Sequence, residues 1–273
     1  MPELPEVEVV RQGLEPHLVG KTVRRVVIRE GRLRWPVNPS LPGFIEGCTL
    51  SSLERRGKYL LANFSSGTLI MHLGMSGNLM FVPADVPAQR HDHIDIEFDE
   101  GYLRFNDPRR FGAMVWHDQS AGPVLTNKLL ASLGVEPLAG EFSGAVLHQA
   151  SRGRSVSVKQ FLLAGLAVVG VGNIYASESL FRAGIRPGTR VGRLSRPRCD
   201  KLAEAIKETL ADAIAQGGTT LRDFAGASGT GGYFQLSCRV YGRTGQPCVV
   251  CDTPIKRAVQ QARATYWCPD CQH

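Results

Sequence analysis

Four cysteines close to the C-terminus constrain this chain more than any other feature. Cys248 and Cys251 form one Cys-x-x-Cys pair, Cys268 and Cys271 form a second, and sixteen residues separate the pairs. Two residues between thiolates is about the reach of a tight turn, so both sulfurs of a pair can face one ion. Two such pairs complete a tetrahedral tetrathiolate shell, which suits one closed, structural zinc ion rather than a catalytic one. A pair of disulfides is the alternative that spacing alone leaves open. Between the pairs lie Lys256, Arg257 and Arg263, while Thr265, Tyr266 and Trp267 read as a short strand. The module is therefore expected to be a stapled hairpin carrying cations, for which nucleic acid is the fitting partner.

At 273 residues the chain has room for one large core, or for two unequal ones beside the stapled module. No run of eighteen apolar residues occurs, and acids stand at the N-terminus where a secretory signal would be basic and then apolar. A cytoplasmic location without a membrane partner is expected. Cys48, Cys199 and Cys238 are scattered and odd in number, which in a reducing compartment makes them small buried apolar residues. Lysine and arginine outnumber acids by 32 to 25, with a pI near 9.2. That excess favours a polyanionic partner but also fits many proteins that never touch DNA. Its distribution says more, because Cys238 to His273 holds five Lys/Arg against two Asp/Glu.

Pro5 stands where a first helical turn tolerates proline, and Val7, Val10, Leu14 and Leu18 follow at helical spacing until Gly20. The texture then changes to strands at Val23–Ile28, Tyr59–Phe64, Thr68–Leu73 and His93–Phe98. The last alternates strictly, with Ile94, Ile96 and Phe98 on one face and His93, Asp95 and Glu97 on the other. From about Thr126 the pattern turns helical. Asp200 to Gln216 is the clearest helix, with Leu202, Ile206, Leu210 and Ile214 on one stripe, Ser195 and Pro197 at its start and Gly217-Gly218 at its stop. Pro137 marks an expected interdomain hinge. Gly226 to Gly232 reads either as a plain linker or as a loop that folds over a substrate. The fold class is α+β: an N-terminal β-sandwich or flattened barrel with a leading helix (1–133), a helical domain (134–237) and the four-cysteine module (238–273).

The first eight residues carry the sharpest chemistry. Removal of the initiator methionine leaves Pro2 with a free secondary amine, which is far less protonated at neutral pH than a lysine. Such an amine is a nucleophile toward a carbonyl or an oxocarbenium-like sugar carbon, and Glu3 beside it can move protons. On the residues alone, an acidic first turn that simply complements a helix dipole explains the same pattern.

The opening Pro2-Glu3-Leu4-Pro5-Glu6-Val7-Glu8 resembles the N-terminus of formamidopyrimidine-DNA glycosylases. The likeness continues through Gly31–Pro36, Arg55–Leu61, His72–Gly77, His91–His93, Asp107–Gly112, Val169–Glu178, Gln216–Leu221 and the four cysteines. It implies a β-sandwich, a helical domain with a helix–two-turn–helix motif and a zinc-finger β-hairpin, with duplex DNA bound between the halves. It also implies a monomeric bacterial repair enzyme without a redox cofactor, associated with the nucleoid when on DNA. The implied activity is excision of an oxidised purine, followed by β,δ-elimination at the abasic site.

By this resemblance Pro2 is the Schiff-base nucleophile and Glu3 its acid/base partner. Lys58 is a phosphate contact that assists catalysis; its residues alone also read as a solvated strand end. Glu6 lines the lesion pocket. Met75, Arg109 and Phe111 form a wedge that fills the gap left by an extruded nucleotide, with Arg109 hydrogen-bonding the estranged base. His91, Asn173, Arg263 and Lys159 are the other DNA-binding candidates, and the glycines at 170 and 172 let backbone amides approach a phosphate. The chain departs from its relatives at Ala164-Gly165-Leu166-Ala167, where a glycine inside an expected helix costs about 1 kcal/mol relative to alanine. The endonuclease VIII-like sister group, which prefers oxidised pyrimidines, is the nearest alternative. Leu4, Glu8 and the joint presence of Met75, Arg109 and Phe111 favour the formamidopyrimidine branch. A zinc-finger DNA-binding protein without chemistry is the alternative from another class.

Overall fold

A computed structural model of the chain describes residues 2–219 and 234–273. The expectations placed on Met1, on Thr220 and Leu221, and on the Gly226–Gly232 loop with Tyr233 lie outside the described residues. The described chain forms two compact units. The first takes residues up to Ala131 together with Gln216 to Thr219, and the second takes Ser132–Ala215 and Phe234–His273.

The first unit opens with helix α1 (Leu4–Leu18), capped by Glu3 and carrying proline in its first turn. Leu4, Val7, Val10, Leu14 and Leu18 face inward as one buried stripe. Each such burial stabilises by roughly 1.5–3 kcal/mol, which holds the helix against the sheets more firmly than its propensity could. One antiparallel sheet runs in the order β2 (Ser52–Arg56), β3 (Tyr59–Phe64), β4 (Gly67–His72) and β8 (Ala113–Asp118). The other runs β1 (Arg25–Ile28), β6 (Asp92–Phe98), β7 (Gly101–Asn106) and β5 (Asn78–Val82). Leu60, Leu69 and Met71 of one sheet share a single core with Ile94, Leu103 and Phe105 of the other and with α1, which makes the unit a β-sandwich.

Strand β6 shows Ile94, Ile96 and Phe98 buried, as its alternation requires, yet His93 and Asp95 on its opposite face are buried too. Asp95 sits directly across from Arg104 of β7. It accepts from Arg104 Nε and Nη2, each at 2.9 Å, and from Arg29 Nη2 at 2.7 Å. Ionic pairing covers the face that alternation assigned to solvent.

In the second unit α6 (Arg196–Ala215) packs against α3 (Gly144–Ser151) and α5 (Asn173–Arg182). Leu202, Ile206 and Leu210 are buried, while Ala213 takes the place expected of the half-buried Ile214. Helix α4 (Val158–Leu163) ends before Gly165, so that glycine lies outside the helix and its expected penalty does not arise. Pro137, expected at a hinge, is buried within the second unit. The unit finishes in the hairpin β9 (Lys256–Gln260) and β10 (Arg263–Trp267). Among the described residues no helix is long and apolar enough to cross a membrane.

Candidate functional site

The amino terminus is tied down. Pro2 is buried, Glu3 caps α1, and Glu3 and Glu6 form a reciprocal capping box in which the Glu3 N–H donates to Glu6 Oε2 at 2.8 Å. The other Glu6 oxygen accepts from the backbone N–H and the hydroxyl of Thr219, both at 2.9 Å. Glu6 is 0% exposed. Its carboxylate is thus occupied in stapling the first turn to Thr219, and it does not present an open oxygen as a pocket-lining residue would. No local signal marks Thr219 for this role, because its partner lies 213 residues away.

Lys58 follows Gly57 in the turn between β2 and β3. Its ammonium and the Arg34 guanidinium act on His72 at the end of β4. Burial first, then these two cations, hold His72 down at about 4. The neutral ring accepts the Gly74 N–H at Nδ1, 3.0 Å away, and packs on Tyr59. His72 stands within the His72–Gly77 match without a role of its own there.

Met75, Arg109 and Phe111, expected to form a wedge, come from two loops. Met75 and Phe111 are unusual among large apolar side chains in being exposed (39% and 42%), and the Arg109 guanidinium lies 4.8 Å from the centre of the Phe111 ring. Asp107, fully buried, organises this arrangement. Its Oδ1 accepts from the Ser76 hydroxyl at 2.8 Å and from the Arg109 N–H at 3.2 Å, while Oδ2 accepts from the Gly112 N–H at 2.8 Å. Gly74 has φ +65, and a Cβ there would collide with the backbone of Phe111 and Gly112; a glycine is what lets the loops meet. His91 stands at the base of the second loop, its carbonyl accepting the Asp107 N–H at 3.0 Å.

In the second unit Gly172 caps α5 and Asn173 is its first residue. Asn173 Nδ2 donates to the Ala264 carbonyl at 3.1 Å and to the Tyr241 hydroxyl at 3.4 Å. Glu178, one turn on, accepts three backbone N–H groups, from Arg239, Val240 and Tyr241, at 2.8–3.0 Å. That carboxylate locks the chain entering the finger onto α5, a role no sequence pattern marked. Lys159 is not where a DNA contact would put it. It is 1% exposed, and its ammonium donates to the Ala264 carbonyl at 2.9 Å and the Thr265 hydroxyl at 2.8 Å. It grips the hairpin from behind, while Arg263 at the start of β10 is exposed, as are Lys256 and Arg257 of β9.

The four cysteines converge as expected, with all four sulfurs within 4.8 Å of one another. Individual S···S separations are 3.4 Å (Cys251–Cys268 and Cys251–Cys271) and 3.8 Å (Cys248–Cys271). A tetrahedron with Zn–S of about 2.3 Å has edges of about 3.8 Å, so the shell fits one zinc ion. All four are free thiols rather than disulfides. Burial and then the neighbouring thiols push Cys271 up, because four thiolates crowd together stably only around a cation. The Gln272 side chain accepts from the Cys268 N–H and donates to the Ile185 carbonyl, which ties the shell to the helical body.

A buried Pro2 on a sandwich, exposed Met75 and Phe111, and a helical unit ending in a tetrathiolate hairpin agree with the plan of a DNA-repair glycosylase with a structural zinc. Residues 1–114 match the family model for the formamidopyrimidine-DNA glycosylase N-terminal domain, 133–225 that for its H2TH domain, and 245–273 that for the zinc finger found in FPG and IleRS. The formamidopyrimidine-DNA glycosylase of Burkholderia lata is 60% identical over 274 residues, with the whole of both chains covered. Two Lactococcus lactis structures, one an FPG mutant with Fapy-dG containing DNA and the other an Fpg complex with abasic-site DNA, each superpose with a TM-score of 0.92 at 32% identity, covering 100% of both chains. The chain belongs to the formamidopyrimidine-DNA glycosylase family.

Proposed function

We propose that this chain excises oxidised purines, 8-oxoguanine and formamidopyrimidines, from duplex DNA through a Schiff base on Pro2 and then cleaves the abasic strand by β,δ-elimination. The observation that carries the reading is the amino terminus itself. The first residues of most domains fray unless something holds them, and here Pro2 and Glu3 are buried and Glu6 is clamped by three hydrogen bonds. Such anchoring fits an amine that must meet one carbon reproducibly.

In the proposed sequence the Pro2 nitrogen bonds to C1′ as the C1′–N9 bond breaks and the base departs. Opening of the sugar ring gives an iminium. Loss of a C2′ proton expels the 3′-phosphate, a second elimination expels the 5′-phosphate, and hydrolysis of the remaining imine frees the amine. Glu3 moves the protons. Lys58 stabilises phosphate charge beside the reacting sugar, and Glu6 serves the lesion pocket by holding its wall. Met75 and Phe111 fill the vacated stack while Arg109 reads the estranged base. His91, Asn173 and Arg263 hold phosphates, and Lys159 acts as a positioning residue through Arg263. Catalysis, the wedge and the His91 contact belong to residues 1–133, while 134–237 form the helix–two-turn–helix DNA-binding domain and 238–273 the zinc finger. The zinc ion would be held by Cys248, Cys251, Cys268 and Cys271 and would supply folding energy rather than chemistry.

Borohydride trapping on duplex DNA with one 8-oxoguanine opposite cytosine, followed by mass mapping, tests this. An adduct on Pro2 is expected. Trapping with oxidised pyrimidine alone moves the chain to the sister specificity, and no adduct from protein with a processed terminus overturns the Schiff base.

A further inference from the structure

Asp107 is an unusual carboxylate. It is buried completely, yet its partners are the Ser76 hydroxyl and the backbone N–H groups of Arg109 and Gly112 rather than a cation. Burying such a charge is costly, and a fully satisfied polar network of this kind rigidifies what it joins. The backbone of Asp107 is held as closely as its side chain. The His91 carbonyl accepts the Asp107 N–H at 3.0 Å, while the Asp107 carbonyl accepts the Arg110 N–H at 3.2 Å and the Nε2–H of buried His93 at 2.7 Å.

What the network joins is the pair of loops that carry Met75, Arg109 and Phe111. One carboxylate oxygen takes the Arg109 N–H and the other the Gly112 N–H, so Arg109-Arg110-Phe111 is clamped at both ends. Between the clamps Arg110 stands at φ 57, a conformation that persists only where its surroundings over-determine it. The clamp thereby presents the Arg109 guanidinium and the Phe111 ring together. The oxygen that holds Arg109 also accepts the Ser76 hydroxyl, and Ser76 directly follows Met75. Backbone packing tightens the link, because a Cβ at Gly112 would strike the His72 carbonyl and the Phe105 ring. Loops 31 residues apart in sequence are thus joined by one hydroxyl through one carboxylate.

From this geometry we infer that Ser76 and Asp107 are positioning residues that set opposite-base specificity, by coupling the Met75 loop to the Arg109 loop while both stay too buried to meet DNA. A guanidinium offers donors only. It suits the two acceptors on the pairing edge of an orphaned cytosine and meets a donor on that of adenine. Such readout depends on distance and angle and fails when the loop shifts, whereas apolar filling of a gap is non-directional and tolerates the shift. Sugar chemistry belongs to the amino terminus on α1, to which neither residue bonds, so it is spared. The inference rests on the base-reading role proposed for Arg109 and deepens it.

The test is single-turnover excision of 8-oxoguanine opposite cytosine and opposite adenine, with cleavage of a preformed abasic site as the control. Ser76→Ala should cut the cytosine-over-adenine preference by roughly 2–10-fold, the worth of one hydrogen bond, while abasic cleavage moves by less than about twofold. Asp107→Asn keeps the shape but turns an acceptor toward its donors into a donor, and should lose more preference than Ser76→Ala. In an Arg109→Gln background Ser76→Ala should change the preference no further, because the coupling runs through Arg109. An unchanged preference in Ser76→Ala overturns the inference. So does an equal loss of excision and abasic cleavage, which is the mark of a merely structural role, and so does a Ser76→Ala effect that adds in full to that of Arg109→Gln. Wild-type protein without a preference, or Arg109→Gln that keeps it, removes the base-reading role of Arg109 and this inference with it. A preference lost in Arg109→Gln but intact in Ser76→Ala overturns this inference alone.

Discussion

In the sandwich unit Arg104 spends its guanidinium on a buried carboxylate, Asp95, and Arg29 adds another bond to the same group. Arg11, Arg24 and Arg55 are likewise paired with acids. In the helical unit Arg154, Arg190 and Arg193 face solvent with no acid paired to them among the described residues. The same residue type therefore does two jobs. Arginines of the first kind close a protein surface on itself, in the second unit as well, where Arg182 pairs with Glu208 and Asp212; those of the second kind stand in solvent. At the end of β4, burial and the charges of Lys58 and Arg34 act together on His72. Net charge alone would not have separated these uses; partners do.

The largest expected effect bears on whether the two units hold together by the same means. Zinc removal should unfold residues 238–273, because a structural tetrathiolate site contributes on the order of 10 kcal/mol or more to its own fold. Hydrogen exchange after chelation should show protection lost there and kept in β3, β4 and β6. Loss in the sandwich strands at the same chelator concentration would show that metal supports both units.

Next comes the buried pair. Asp95→Asn should destabilise by about 3 kcal/mol, since it removes the carboxylate bonded to Arg104 and leaves that buried guanidinium only the longer 3.7 Å pairing with Asp92, whereas Arg190→Gln should stay within about 0.5 kcal/mol. Urea unfolding of the two variants compares them directly, and similar values would dissolve the distinction between the two arginine populations. Acid should mimic the first variant. Burial raises Asp95, but the bonds from Arg104 and Arg29 outweigh it and hold its pKa below the usual value. Its contribution is therefore present above the unfolded carboxylate range and is lost as pH falls below it.

Sequence reading found what was local and periodic and missed what was distant. The strand Tyr59–Phe64 and the cysteine shell were legible because a period of two and a Cys-x-x-Cys spacing are set by neighbouring residues. Alternation in β6 identified its apolar face correctly, but it could not say that Arg104 and Arg29 would cover the other one. The Glu6–Thr219 staple joins residues that no local pattern links. The charge of Lys159 is visible in the sequence and its burial is not; the hairpin that covers it arrives 105 residues later.

A smaller effect, up to about 3 kcal/mol, probes His72. Its folded pKa of about 4 lies below its ordinary 6.5. Between these values the unfolded chain holds the extra proton, so stability should rise with pH and be lost as pH falls from about 6.5 to 4. His72→Gln should flatten that limb in denaturant titrations at fixed pH. An unchanged slope would mean that another group supplies the acid sensitivity.

The smallest effect concerns backbone rather than charge, and here the two units agree. Arg110 in the wedge loop has φ 57, while Gln261 and Ala262 at the hairpin tip have φ 46 and 59. Each is a non-glycine residue in the left-handed region, beside an arginine assigned to DNA: Arg109 in one case, Arg263 in the other. A residue held this way costs on the order of 1 kcal/mol, and glycine removes most of that cost. Ala262→Gly should therefore raise stability by about 0.5–1 kcal/mol in denaturant titrations, with the metal kept in place. Arg110→Gly should gain less, because it also gives up the 3.2 Å ion pair with Glu30. If the strain serves to aim the neighbouring arginines, the more stable Ala262→Gly protein should bind lesion duplex more weakly than wild type. Unchanged binding would make the turn a tolerated cost rather than a positioning device.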